Sequence, residues 1–299
     1  RIKIGLRVQY TIWNLSLLFG SKGMKISVQM IVKNEERWIW YSLMSVIDYV
    51  DEIMVWDTGS TDNTVNIIKS IANPKIKFKR VNQKSASEFT MFRNKMLNET
   101  KADWLMILDG DEIWPQQSIN KTAKFIKSNK IQNLEYLIHP YYDLLGDVYH
   151  YQEPGGGKYH IDKYSGHITI RFFNLSLLSG LHFGKPHGQQ GVFDQNQTLV
   201  QDRVPRKYKF MDDCAYLHAT HLHRSPNDTN VIKRNFKFKY EMGLRFSENF
   251  AYPVSFYLPH SPEIVSVWKP ADLSYWLKAS WQTPLKWLRR KIFASPSGY

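Results

Sequence analysis

The sequence predicts an α/β protein whose mostly parallel sheet is flanked by helices on both faces and followed by a loop-rich region and a helical tail. Three observations support this. Residues 25–32, 52–56, 75–80 and 104–108 read as strands and alternate with helix-like segments at 37–49, 62–71, 88–98 and 116–129. Alternation with short connections favours parallel strands joined by crossover helices. The fourth strand, Trp104-Leu-Met-Ile-Leu108, is apolar without a break, as a strand covered on both faces should be.

In such a sheet, ligands bind in the crevice beyond the carboxyl ends of the strands, and the polar residues of this chain fall there. The first strand runs into Lys33-Asn34-Glu35-Glu36. The second runs into Asp57-Thr58-Gly59-Ser60-Thr61-Asp62, where Asp57 points at a ligand and Thr61 or Asp62 caps the next helix. Asn73-Pro74 ends that helix, and the helix after the third strand carries Arg93-Asn94. The fourth strand ends in Asp109-Gly110-Asp111-Glu112. Period-two alternation puts Asp109 and Asp111 on one side, with Gly110 between them allowing a ligand close to the backbone. Two hard oxygen ligands suit Mg²⁺ or Mn²⁺ carrying a diphosphate; the plain alternative is an acidic loop capping the following helix. Three acids this close should repel one another when no cation is bound.

The chain has 299 residues, 43% of them hydrophobic, enough for one large α/β domain or a domain with an accessory region. Lys and Arg number 40 against 27 Asp and Glu, and the resulting +13 favours anionic partners. Cys214 is the only cysteine, which excludes an intrachain disulfide and a thiolate zinc site and fits a reducing, cytoplasmic compartment. Residues 1–23 carry Arg1, Lys3 and Arg7 before a run interrupted by Gln9, Thr11, Asn14 and Ser16. That run falls short of the roughly 18 apolar residues of a membrane span and lacks a signal-peptide cleavage pattern. It reads as an extension outside the core, with the folded part starting near Met24.

Past a strand expected at 135–139, residues 141–164 are dense in Tyr, His and Gly and include Glu153-Pro-Gly-Gly-Gly157, the composition of a loop and the flexibility of a lid. A strand is expected at 167–175, then a polar loop at 182–190. His218, His221 and His223 fall within six residues, suited to binding a metal, cradling phosphate or lying on the surface. The tail, 263–299, sets Trp268, Trp276, Trp281 and Trp287 among Lys and Arg. Such a segment either lies on an anionic membrane or packs its Trp face on the domain.

Taken together, residues 26–35, Val55-Trp-Asp57-Thr-Gly-Ser-Thr-Asp62, Arg93-Asn94 and Leu108-Asp109-Gly-Asp111-Glu112 resemble the family 2 glycosyltransferases of GT-A fold in order and spacing. The resemblance covers 24–115 well and 165–225 loosely. It implies inverting transfer of a sugar from a nucleotide-diphospho-sugar to a glycan, lipid-linked or protein acceptor, such as a cell-envelope glycan, assisted by Mn²⁺ or Mg²⁺. By that resemblance Asn34, Glu35, Asp57, Arg93, Asp109 and Gly110 would bind the donor, and Asp109, Asp111 and His218 would hold the metal. It divides the chain into a nucleotide-sugar-binding half at 24–135, an acceptor half at 136–225 and a basic, Trp-rich tail at 226–299. The implied location is cytoplasmic, with peripheral contact at the membrane face.

Two positions depart from the family pattern. Thr58 stands where many members carry a second acid, and His187-Gly188-Gln189 stands where the most similar subgroup carries His-Glu. Inversion needs a base across the sugar ring from the leaving group, and the sequence offers His187, Asp194, Asp212 and Asp213, of which His187 and Asp194 are selected. A nucleotidyltransferase would carry a Gly-rich basic loop after its first strand, whereas Lys33-Asn-Glu-Glu-Arg37 has no glycine. A nucleic-acid-binding protein would suit +13 and 14% aromatics, but the best pocket signals are acidic, so no specific nucleic acid is expected.

Overall fold

The computed structural model of the chain describes residues 23–128, 131, 133–186, 189–231 and 234–292. The expected extension at 1–23, except Gly23, lies outside the described residues, as does His187. Four parallel strands come first: β1 (Ile26–Val32), β2 (Glu52–Asp57), β3 (Ile76–Arg80) and β4 (Trp104–Ile107). They are followed by β5 (Glu112–Ile113), β6 (Tyr136–Asp143), β7 (Ile168–Asn174), β8 (Tyr208–Phe210) and β9 (Tyr216–His218). These nine strands form one sheet in the order β3-β2-β1-β4-β7-β6-β9-β5, with β8 also paired to β6. Pairing is parallel except where β7 lies between β4 and β6 and where β5 meets β9. The mostly parallel α/β sheet expected from the sequence is therefore what the chain adopts. Because β7 and β9 pair with strands from the first part of the chain or its continuation, the regions 24–135 and 136–225 share this sheet.

Every residue of β1 is buried, as a central parallel strand requires. On one face Ile26, Val28 and Met30 meet helices α1 (Ile39–Val46), α2 (Thr64–Ser70) and α4 (Gln116–Ile126) through Leu43, Ile68 and Ile119. On the other, Ile31, Met54 and Trp56 meet Phe92 and Met96 of α3 (Ala86–Glu99). α3 begins slightly earlier than the sequence suggested, because Ser85 and Glu88 form a reciprocal cap at its start.

The second region is built from short pieces. β6 runs past the strand expected at 135–139 to Asp143, so part of the predicted loop belongs to the sheet. Two-stranded ribbons form from Tyr159–Ile161 with Tyr164–Gly166 and from His182–Gly184 with Gly191–Phe193. Phe246, Phe250 and Phe256 then pack in edge and stacked contacts against Tyr142, Tyr151 and Tyr41, with Tyr252 stacked on Phe256. Within the tail, Leu273–Ile292 forms one helix, α5, seated on the segment after β6. Gly146 makes this seat possible: its φ is +76°, and a Cβ there would come 2.5 Å from the ring of Tyr275. Among the described residues no helix is long and apolar enough to cross a membrane.

Candidate functional site

Register places the polar ends of β1, β2 and β4 along one edge, with Val32 opposite Asp57 and Gln29 opposite Ile107. At the end of β2, Asp57 is fully buried, accepts from the backbone N–H groups of Gly59 and Ser60, and lies 3.2 Å from Arg80 Nε. Thr58 donates its hydroxyl to the Val32 carbonyl. Asn34, at a φ of +55°, is also buried; its side-chain oxygen accepts from Thr61 N–H at 2.8 Å. Asp62 accepts from the N–H and hydroxyl of Thr64 at the start of α2.

The acidic end of β4 separates its three carboxylates. Asp109 keeps 38% side-chain exposure and is held by Arg93 at 3.3 Å and Arg171 at 3.2 Å. Burial would push its carboxyl up, but the two guanidinium groups hold it well below the usual range. Glu112 is buried against Arg171, yet burial dominates and pushes its carboxyl up to about 7. Asp111 turns the other way. Its Oδ2 is buried without an aligned hydrogen bond, 2.7 Å from Arg224 Nη1 and 3.6 Å from His218 Nε2. Burial opposes ionisation of Asp111, and Arg224 and His218 outweigh it.

The repulsion expected among these acids persists, Asp109 and Asp111 adding to the upward push on Glu112, and is offset by a cationic neighbour at each acid. The space over Gly110 is filled from inside the protein: a Cβ there would meet Glu35 Cγ at 2.9 Å. Glu35 is buried between Arg224 at 3.1 Å and Arg234 at 2.7 Å, and desolvation still raises its carboxyl to about 7. Arg93 is itself buried and donates to the Gln29 carbonyl, so it positions Asp109 from beneath.

His218 is turned by Asp143, whose Oδ1 lies 3.0 Å from Nδ1, leaving Nε2 toward Asp111. Asp143 also faces His167 and His221, each at 3.4 Å, and these histidines overcome burial to keep its carboxyl well below the usual range. His223 points away, exposed beside Asp228. Sequence reading missed Asp143, Arg171, Arg224 and Arg234. The signal available was the Arg-Phe-Phe of β7 and the Arg directly after the histidine run.

Of the remaining positions, Asp194 spends Oδ1 on the N–H groups of Asn196 and Thr198 and Oδ2 on Arg203, which also binds Glu135. That turn is not brought to Asp111. Asp212 and Asp213 are exposed, Asp213 beside Lys121. The ribbon flanking His187 is tied to α3 through Asn94, which exchanges hydrogen bonds with Phe183.

For a divalent cation, no group of three or more His, Cys, Asp or Glu is assembled among the described residues. Asp109, Asp111 and His218 do not form a ready-made triad, because Asp109 is turned to Arg93 and Arg171. Two of them do fit: Asp111 Oδ2, ion-paired with Arg224 but without an aligned hydrogen bond, faces an imidazole nitrogen, and the imidazole is backed by a second carboxylate.

Residues 27–179, just over half of the chain, match the family model described as Glycosyl transferase family 2. The chain belongs to this family. The SPbeta prophage-derived glycosyltransferase SunS of Bacillus subtilis is similar to this family 2 chain, at 30% identity over 221 residues, 73% of this chain and 44% of SunS. The chain therefore spans less than half the length of that curated relative. Among solved structures, S. aureus TarS 1–349 in complex with UDP-GlcNAc is 19% identical, with a TM-score of 0.47, covering 66% of this chain and 58% of that one. The mannosyltransferase PcManGT from Pyrobaculum calidifontis, in complex with GDP-Man and Mn²⁺, is 16% identical, with a TM-score of 0.44, covering 66% and 57%.

Proposed function

We propose that this family 2 chain transfers a glycosyl group, with inversion, from a nucleotide-diphospho-sugar to an acceptor hydroxyl or related nucleophile. The observation that carries the reading is the division of labour at the end of β4, where Asp109 stays open to the crevice while Asp111 is buried against Arg224 and His218. Residues 24–135 would form the donor half and 136–225 the acceptor half. Asp57 and Asn34 would shape the nucleotide end of the crevice, Asp109 would face the donor, and Arg93 would hold Asp109 in place. Asp111 and His218 would hold Mn²⁺ or Mg²⁺, which when bound neutralises charge on the departing diphosphate. Arg224 and Arg171 would add fixed positive charge on the same side, preorganised by their ion pairs. The base falls to His187 rather than Asp194, whose oxygens are occupied in its turn. The basic, tryptophan-bearing tail would be the part that meets a membrane, at the cytoplasmic face.

A screen of nucleotide sugars for Mn²⁺-dependent hydrolysis tests this, run on the chain and on Asp111→Asn. The substitution keeps the shape of the carboxylate and removes its charge, so turnover of the accepted donor should fall at least about a hundredfold. Full Mn²⁺-dependent turnover by Asp111→Asn would remove this stretch as the metal site.

A further inference from the structure

α5 docks by one face and leaves the opposite one apolar. Toward the domain, Trp276 packs on His150 and Ala279 is fully buried. The Thr283 hydroxyl accepts from Met242 N–H, and Arg290 binds Glu153 and Glu241. Toward solvent, Leu273, Leu277, Trp281, Leu285, Leu288 and Ile292 are each at least half exposed. At ~100° per residue these six fall in an arc of about 120°, centred opposite the docked face. The two expectations for the tail therefore divide by residue: Trp268 and Trp276 pack, while Trp281 and Trp287 face out.

We infer that this exposed stripe is a docking surface for an anionic lipid bilayer and that it sets the orientation of the whole domain on the membrane. The charge pattern selects the occupant. The helix sequence LSYWLKASWQTPLKWLRRKI contains no acidic residue, and Lys278, Arg289 and Lys291 flank the stripe in the open. A second copy laid against this face would bring those cations onto like charges with no acid on the helix to pair them. Anionic headgroups would complement them while the stripe enters the acyl boundary, and Trp281 would sit within it. The segment His150–Tyr151 and Glu153 lie beneath α5, so bilayer contact would hold this side of the acceptor half about one helix diameter, ~10 Å, from the lipid. Vesicle binding requires no donor, metal or acceptor, so it stands or falls apart from the transfer chemistry.

The test is co-sedimentation of the 299-residue chain with vesicles of phosphatidylglycerol and phosphatidylcholine in equal parts, and with phosphatidylcholine alone. Binding should be confined to the anionic vesicles and weaken with salt. The triple variant Leu277→Ser, Trp281→Ser, Leu285→Ser should bind at least about tenfold more weakly with an unchanged Tm, since these side chains touch solvent. Lys278→Glu with Arg289→Glu should give a similar loss while leaving the apolar stripe whole. Equal binding by the chain and both variants, or none to either vesicle, overturns the inference. So does a dimer of the chain that the triple variant abolishes, since the face would then belong to a second copy.

Discussion

Residues 24–135 and the described residues after them contribute largely opposite charges to the same site by different structural means. The first region supplies acids from the ends of regular strands: Asp109, Asp111 and Glu112 after β4, and Glu35 after β1. The second supplies most of the cations that meet them, Arg171 from β7, His218 from β9, and Arg224 and Arg234 from irregular chain beyond it, while Arg93 of α3 is the first region's own. Neither region is electrically complete alone. A cluster of acids can sit buried in this protein because most of its cationic partners are brought near by the shared sheet.

The largest expected effect comes from breaking that cancellation at its centre. Arg224→Ala would leave Asp111 and Glu35 buried with one fewer partner, and loss of one member of a buried pair costs about 3–5 kcal/mol. Denaturant unfolding should show this as a lower midpoint. An unchanged midpoint would mean that the two regions do not depend on each other electrostatically.

A smaller effect tests the core that the two regions share. His139 is fully buried between Trp114 and Phe172, and burial pushes its imidazole down to about 3. The folded protein therefore keeps His139 neutral where the unfolded chain protonates it, and stability falls as pH drops below the unfolded value near 6.5. From about pH 7.5 to about pH 5.5 the loss from this residue should be about 1.4 kcal/mol. His139→Gln should flatten that part of the pH profile. Parallel profiles for the two proteins would show that His139 protonates within the fold.

The smallest effect is the surface counterpart of the first. Lys121 and Asp213 also join the two regions, but both are more than half exposed, where solvent screens the pair. Lys121→Ala should leave the unfolding midpoint unchanged, and a clear drop would show that burial is not what makes Arg224 matter.

How much was legible follows the same division. The strands at 26–32, 52–57, 76–80 and 104–107 were readable because each carries a run or an alternation of apolar residues and gives way to polar chain. Asp57, Asp109 and Asp111 stood out for the same reason. Asp143 did not, since it closes a strand rich in Tyr and His whose outer half resembles loop. Arg171 and Arg224 looked like ordinary members of a basic chain.

By itself, the sequence determined the alternating α/β order, the acidic ends of the strands and the basic, acid-free character of the tail helix, because each is written in local pattern and composition. Tertiary structure decided which arginine neutralises which carboxylate, that three histidines gather on Asp143, that Gly110 makes room for Glu35, and which face of α5 is left open. Those are contacts between residues far apart in the chain, and local pattern carries no record of which distant side chain will close a charge or cover an apolar face.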